Sequence, residues 1–451
     1  MVSALVVAAP ASGSGKTTVA TGLMRALRRR GATVAGAKVG PDYIDPGYHA
    51  LATGRPARNL DPVLVGEHRI APLAAHAAAG AEITIVEGVM GLFDGRSGTG
   101  GFGSTGHVAT LLGAPVLLVV DVRGQGRSLA ALLHGFRSFD PSVRIAGVLL
   151  NRTGSQRHEQ VCREACAEVG LPVLGALRRD EALAVPSRHL GLVTAAEYAS
   201  AALAVESWAD AVIAQVDLDA VVVLAGGAAA PAWDPDTEVS PDSAGPVVAA
   251  GPVVALAGGP AFAFGYAEHA ELLAAAGATV VPVDPLRDES LPAGTGGLVL
   301  PGGFPEEHAA ELGANVTLRA EVAALAASGA PVHAECAGLL YLGHTLDGLP
   351  MCGVLDTDAV MTGRLTLGYR DAVALSGSVL HDEGTRVTGH EFHRSTVTPP
   401  GSDSPAWGWA GTPAEGFVRG GVHASFLHTH PGGCPAAVAR FVANCLRVGP
   451  S

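Results

Sequence analysis

The sequence predicts an α/β chain of two domains, the first built on a parallel sheet, and three of its features lead there. A glycine-rich loop, APASGSGKTT at 9–18, separates a short apolar run from a helically spaced segment. Runs of strand length alternate with helical stretches on both sides of a segment dense in Pro, Gly, Ala, Ser and Asp. In the second half, Cys336 directly follows one such run and precedes a helical stretch.

The elements follow in chain order. ALVVAA at 4–9 reads as a buried strand, and TTVATGLMRALRRR sets Val19, Leu23 and Leu27 at helical spacing before Gly31. Further strands are expected at 82–87, 115–121 and 144–151, with a helical stretch at 104–112, so helices cover both faces of a parallel sheet. This first domain is assigned to 1–200. Residues 201–250, opening on an Ala-rich helical stretch and ending in GGAAAPAWDPDTEVSPDSAGPVVAAGP, are assigned as a linker region. Alternation resumes in a second α/β domain at 251–451, with strands at 253–257, 278–283, 297–300 and 331–334 and a helix near 266–276. At 451 residues the chain exceeds what one core organises, since domains run to roughly 50–250 residues.

Charge and composition exclude several function classes. A net charge of −13 leaves no basic stripe to displace counterions, which argues against nucleic acid and anionic membrane as partners. No apolar run reaches the roughly 18 residues needed to span a bilayer, and the N-terminus enters a strand without a basic leader, so a soluble cytoplasmic protein is expected. Six cysteines are too sparse for a disulfide framework. Cys162 and Cys166 lie in a polar helical stretch without ligand partners and read as structural.

The loop follows the phosphate-binding pattern except that Pro10 stands where its first glycine belongs. Gly13 and Gly15, nearest the phosphates, are kept. Backbone amides from Ser12, Gly13, Ser14, Gly15 and Lys16 can cradle phosphate, Lys16 can reach its outer oxygens, and Thr17 and Thr18 at the helix start complete the expected nucleotide-binding set. Mg²⁺ needs carboxylates beside the phosphates. Thr17, Asp42 and Glu87 form the expected metal set, with Asp45 and Asp94 as further carboxylates and Lys38 as a cation that could neutralise phosphate. Turn formation is the plainer reading of Asp42 and Asp45, and a solvated surface place that of Glu87, Asp94 and Lys38.

In HAECAGLLYL a strand-to-helix turn sets Cys336 at a helix N-terminus, where free amides favour thiolate. A thiolate attacking an acyl group also needs a base and an oxyanion hole. His428 and His430 in HASFLHTH could be the base, and Gly302 and Gly303 in PGGFPE could turn amides toward an oxyanion.

The two halves together resemble the cobyrinic acid or hydrogenobyrinic acid a,c-diamide synthases of cobalamin biosynthesis. The matching segments are APASGSGKTT, KVGPDYIDPGYH, VEGVMGLFDG, SRHLGL, LPGGFPE, HAECAGLLYL, GHEFHRS and ASFLHTH, spread from residue 9 to 430. That resemblance implies a dethiobiotin-synthetase-like ATPase domain followed by a class I glutamine amidotransferase domain, with proline normal at position 10. It implies that ATP activates a carboxylate as an acyl phosphate, that Cys336 releases ammonia from L-glutamine, and that His428 raises its nucleophilicity. The substrate would be a corrin-type polycarboxylate, met by Arg188 and by Arg123 and Arg127. Two departures stand out: His430 occupies the place where most class I glutaminases carry Glu, leaving a Cys-His dyad, and FGYAEH at 264–269 replaces a more aromatic segment. Alternatives are cobyric acid synthase, the nickel-sirohydrochlorin a,c-diamide synthase, and a non-enzymatic P-loop switch with a silent glutaminase domain. The switch reading lacks its signature lysine, because position 11 is Ala. A homodimer is compatible with this reading.

Overall fold

A computed structural model describes residues 3–180, 183, 187–188, 191–197, 199–239 and 251–447. The chain divides into two compact units, Met1–Trp233 and Asp234–Ser451.

The first unit holds β1 (Ala4–Ala8), β2 (Val34–Val39), β3 (Arg58–Leu60), β4 (Ile83–Glu87), β5 (Val116–Asp121), β6 (Ile145–Thr153) and β7 (Val173–Arg178). They form one parallel sheet in the order β3-β2-β4-β1-β5-β6-β7. Every residue of β1, β2 and β4 is buried, so these strands read as continuous apolar or small-residue runs and not as alternation. The register pairs Val7 with Glu87 and Lys38 with Glu87, which brings the ends of β1, β2 and β4 to one edge. Ligands of open parallel sheets bind beyond that edge. The predicted strands fall within two residues of their positions, whereas β2, β3 and β7 are additional. VAGAKV in β2 is built from small residues around a buried lysine and gives little apolar signal. Two short strands, β8 (Ser187–Arg188) and β9 (Gly191–Leu192), pair with each other.

Residues 201–224 carry helices Ala201–Gln215 and Leu218–Leu224, both within the first unit. The longer one packs on helix Lys16–Arg29, burying Trp208 and Val212. Gly22 permits this approach, because a Cβ there would stand 2.9 Å from the Trp208 carbonyl and 2.9 Å from Val212. Ion pairs Arg25–Glu206, Arg29–Asp210 and Arg30–Asp219 line the rim. Of the 201–250 stretch, the helices Ala201–Gln215 and Leu218–Leu224 thus belong to the first unit, helix Pro235–Val239 falls in the second, and 240–250 lie outside the described residues.

The second unit contains β10 (Val253–Ala257), β11 (Thr279–Val283), β12 (Thr295–Leu300), β13 (Val332–Glu335), β14 (Thr345–Leu346), β15 (Leu349–Pro350), β16 (Asp358–Ala374), β17 (Arg386–Thr398), β18 (Trp407–Gly408), β19 (Phe417–Arg419), β20 (Val422–Ser425) and β21 (His428–Thr429). A six-stranded sheet runs β11-β10-β12-β13-β20-β19, parallel except at its β20–β19 edge. The other sheet, in the order β15-β14-β16-β17-β21, is dominated by the long antiparallel β16–β17 hairpin, with β18 also on β16. Helix Ala337–Leu342 is wholly buried against β12 and β13, and Gly338 is required there because a Cβ would strike the Leu300 carbonyl. Among the described residues no helix is long and apolar enough to cross a membrane.

Candidate active sites

In the first unit, a cleft of about 730 Å³ opens at the carboxyl edge of the sheet. Ser12, Gly13, Gly15, Lys16, Thr17 and Thr18 line it, while Ser14 turns inward and its hydroxyl donates to the Ala11 carbonyl at 2.9 Å. Gly13 and Gly15 have φ of 74° and 93°, which side chains rarely adopt, and a Cβ on Gly15 would strike the Asn151 amide. The end of β6 ties the loop down: Asn151 Nδ2 donates to the Ser14 carbonyl at 2.8 Å and Arg152 Nη1 to that of Gly13 at 2.9 Å. Lys16 Nζ rests on the Met90 carbonyl at 2.6 Å and the Ala11 carbonyl at 3.3 Å. Burial first, then the Lys38 ammonium nearby, push Lys16 down to about 8.

Below the loop lies a buried ionic cluster. Thr17 Oγ1 donates to Glu87 Oε1 at 2.7 Å and to Asp45 Oδ2 at 3.3 Å. Lys38 Nζ reaches the same two oxygens at 2.9 and 2.6 Å. His49 Nε2 lies 2.7 Å from Glu87 Oε2. Burial works against a charged Glu87, but Lys38 and His49 outweigh it and hold the carboxyl below its ordinary range. Asp45 goes the other way: burial and the adjacent Asp42 and Glu87 carboxylates raise it well above that range. One ammonium is thus shared by two buried carboxylates, a site that favours further positive charge.

Asp42 also lines the cleft, but its Oδ1 accepts from the backbone N–H groups of Ile44 and Asp45 at 2.8 and 3.0 Å, forming the turn that opens helix Asp45–Thr53. Asp45 stands with Thr17 and Glu87 where Asp42 was expected. Asp94 is a turn residue too, accepting from Gly91 N–H at 2.9 Å and so shaping the loop that offers the Met90 carbonyl. Lys38 is buried in an ion pair and is no solvated surface lysine. The residues that fit Mg²⁺ are hard oxygen donors: the Thr17 hydroxyl with the Asp45 and Glu87 carboxylates. Among the described residues no three His, Cys, Asp or Glu side chains form a metal site by themselves. Two carboxylates and a hydroxyl still meet what Mg²⁺ asks of a protein when phosphates and water supply its other ligands. Arg123 lines the cleft, paired with Asp121 at 2.8 Å, whereas Arg127 pairs with Glu168 at 3.0 Å and is absent from the cleft wall. The side chain of Arg188 lies outside the described residues.

In the second unit, Cys336 sits between β13 and helix Ala337–Leu342 with φ of 48°, a strained backbone of the kind found at nucleophile turns. Its N–H donates to the Ser425 carbonyl at 2.8 Å, fastening the turn to β20. Burial, and then Glu306, push the thiol above its ordinary range, against which the Ala337 N–H acts. His428 is fully buried at the start of β21, and burial brings it down to about 4 despite Glu335. Burial thus works against the charged form of both groups. Gly302 lies against the His428 ring, since a Cβ there would strike its Cε1, and a Cβ on Gly303 would strike the Ala261 carbonyl. His430 does not share this arrangement: its Nδ1 accepts from Gly432 N–H at 3.1 Å and its ring lies 4.1 Å from that of Tyr266. The FGYAEH segment thereby serves both histidines, with Phe264 beside His428 and Tyr266 on His430. Cys162 and Cys166 are fully buried, and burial pushes Cys166 up to about 11.

Sequence reasoning missed His49, Asn151, Arg152, Met90 and Glu335. His49 had a signal, standing one helical turn after Asp45 on the same face. Met90 and Arg152, at φ of 48° and 62°, had none, because nothing in a non-glycine side chain announces a left-handed backbone.

A nucleotide-loop unit and a cysteine-elbow unit in one chain define a two-part glutamine amidotransferase that uses a nucleotide. Residues 5–193 match the CobQ/CobB/MinD/ParA nucleotide binding domain, and residues 253–433 match the CobB/CobQ-like glutamine amidotransferase domain. A protein of Mycobacterium bovis named hydrogenobyrinate a,c-diamide synthase is 61% identical over 98% of both chains. Its Streptomyces coelicolor counterpart of the same name is 56% identical, over 98% of this chain and 97% of that one. A cobyrinate a,c-diamide synthase of Gloeobacter violaceus is 44% identical over 99% of this chain and 97% of its own. The chain belongs to this a,c-diamide synthase family. It is a glutamine-dependent, amide-forming ligase, which sets aside the switch with a silent glutaminase domain.

Proposed function

We propose that the chain uses ATP and glutamine to amidate the a and c side-chain carboxylates of hydrogenobyrinic acid, through an acyl phosphate and ammonia. The observation that carries this reading is the 61% identity to hydrogenobyrinate a,c-diamide synthase over 98% of the chain. The cobalt-containing ring is the second reading, because a cobyrinate a,c-diamide synthase matches at 44%. Lys16 and the amides of Gly13 and Gly15 hold the phosphates. Thr17, Asp45 and Glu87 would hold Mg²⁺, which when bound neutralises charge on the transferring phosphoryl group. Lys38 keeps Glu87 ionised, and Asp42 holds the turn that presents Asp45. In the second unit the Cys336 sulfur bonds to the glutamine carboxamide carbon and its proton passes to His428, which hands it to the amide nitrogen as the C–N bond breaks, so that ammonia leaves and the thioester forms; water then cleaves the thioester, releasing glutamate and restoring the thiol. Gly302 and Gly303 carry the oxyanion amides.

Purified protein with Mg-ATP and glutamine should convert hydrogenobyrinic acid to a product with two new amides. Mass spectrometry reads each amidation as a loss of about 1 Da relative to the carboxylic acid, and no such change with either ring rejects the function. Glu87→Gln should leave glutamine hydrolysis intact and slow amidation by roughly 10²-fold or more, the scale of a lost phosphoryl-transfer contact. Full amidation in that variant removes Glu87 from the reaction.

Lys16 provides a pH test. With its folded value near 8 against an ordinary 10.5, the ligand-free unit gains stability as pH rises through that window. Phosphate charge beside Lys16 raises the value again, so nucleotide binding at about pH 9 should take up protons. Calorimetry in two buffers of different ionisation enthalpy reads that uptake, and its absence places Lys16 away from the phosphates.

A further inference from the structure

The position where related glutaminases carry a third, acidic member holds His430, and His430 is engaged elsewhere, with Gly432 and Tyr266. A carboxylate nevertheless reaches His428 from another strand. Glu335, the last residue of β13 and the one preceding Cys336, places Oε2 at 3.9 Å from His428 Nδ1. Its other oxygen accepts from the Thr429 N–H at 3.0 Å and the Thr429 hydroxyl at 2.8 Å, and lies 3.2 Å from His333 Nε2. One side chain thus grips the residue after His428 and faces the ring itself. We propose that Glu335 is the positioning residue of the glutaminase site, orienting His428 and stabilising its charged form in place of the acid that ordinarily follows the histidine. This rests on the reading that Cys336 and His428 perform the glutaminase step.

The chemistry follows from which ring nitrogen carries hydrogen. A carboxylate facing Nδ1 favours hydrogen there, which leaves Nε2 as the acceptor for the thiol proton. When Cys336 attacks, that proton makes the imidazole cationic inside a buried site, and the nearest carboxylate is what offsets the charge. At 3.9 Å the pair is in electrostatic reach but beyond hydrogen-bond length, and positive charge on the ring draws it closer. His333, Thr429 and burial already fix Glu335. His333 and His428 bring its carboxyl down to about 2 although burial works against ionisation, so it is charged wherever the enzyme works. The other titratable groups facing His428 are His390, Glu391 and His393 of β17. Arg370 pairs with Glu391 at 2.6 Å, and His393 lies 3.4 Å from its other oxygen, so Glu391 is committed to those two.

The test uses full-length protein and two readouts. Glu335→Gln should lower kcat for glutamine hydrolysis by between about 10²- and 10⁴-fold, the upper figure being the loss when a triad acid is amidated. KM for glutamine should change little, and Glu335→Asp should recover part of the rate. The second readout is the pH dependence of iodoacetamide alkylation at Cys336. Acting through space alone, the Glu335 charge disfavours thiolate, so its removal would move the alkylation midpoint to lower pH. Acting through His428, it sustains the imidazolium that favours thiolate, so its removal moves the midpoint to higher pH. An upward shift supports the proposal; a downward or absent shift, or a kcat within threefold of the parent, overturns it. Thr429→Val, which removes one bond to Oε1, guards against a variant that fails to fold and should lower kcat in the same direction by a smaller factor. Glutamine hydrolysis surviving in Cys336→Ala would instead refute the underlying glutaminase reading.

Discussion

Replacing Cys336 by alanine is expected to lower glutamine-dependent amidation by about 10⁴-fold or more, because the step that needs a covalent partner has no substitute once the nucleophile is gone. Amidation driven by added ammonium salt should persist at high pH, where free ammonia is abundant. The reason lies in the proposed division of labour: the groups assigned to phosphate line the cleft built on β1, β2 and β4, and Cys336 belongs to a different compact unit. Cys336 is 3% exposed with φ of 48°. Alanine keeps the Cβ and tolerates this backbone no worse than cysteine, so the variant tests sulfur chemistry and not folding. Loss of ammonia-driven activity together with glutamine-driven activity would make Cys336 a structural residue. Rapid-quench detection of a thioester in the parent and none in the variant would complete the comparison.

How far the sequence reveals such a site depends on whether chemistry is carried by local spacing or by long-range packing. The loop at 9–18 and the strand-to-helix turn at Cys336 are local, and each lies in the strand-loop-helix setting its residues predict. Glu87 was legible because it ends an apolar run. The choice between Asp42 and Asp45 was not, since both stand in one short proline-bounded stretch. Only the turn geometry shows Asp42 bonding to backbone while Asp45 reaches Thr17 and Lys38. Lys38 illustrates the limit well. A lysine among small residues suggests exposure, yet strand pairing sets it beside Glu87, and its burial follows from partners 7 and 49 residues away in sequence. Glu335 adjoins Cys336 in the text, but successive strand residues face opposite ways. Its meeting with His428, 93 positions later, depends on where β21 runs. Pro10 stands outside the loop's demanding positions: its carbonyl packs near Gly91, where a Cβ would meet it, and the loop's left-handed positions fall on Gly13 and Gly15.

Acid should unfold the second unit over a narrow range of pH, and four buried histidines with the half-buried His269 are the cause. Burial is the largest influence on each: it brings His269, His381 and His428 down to about 4 and His390 to about 3, and holds His423 well below its ordinary 6.5. Because these folded values lie below the unfolded one, the unfolded chain binds more protons once pH falls through about 6.5. Stability is then lost as pH drops toward 4, by up to about 1.4 kcal/mol per pH unit for each histidine. Five acting together approach about 7 kcal/mol per pH unit, comparable with the whole stability of a domain, about 5–15 kcal/mol. Glu335, held down to about 2, adds loss of the same sign only once pH falls below about 4.5. Glu415, raised to about 7 by burial, opposes the histidines between about pH 7 and 4.5, but as one group against five. The denaturant midpoint of the second unit should therefore fall sharply between pH 6.5 and 5, with exchange protection in the central strands β13 and β20 falling in step with the global stability. His381→Gln keeps polarity beside Trp407, whose ring lies 5.2 Å from that of His381, and should reduce the steepness by about one proton. A midpoint that stays constant from pH 7 to 5 would mean that these histidines gain protons without opening the core, contrary to the burial that holds them neutral.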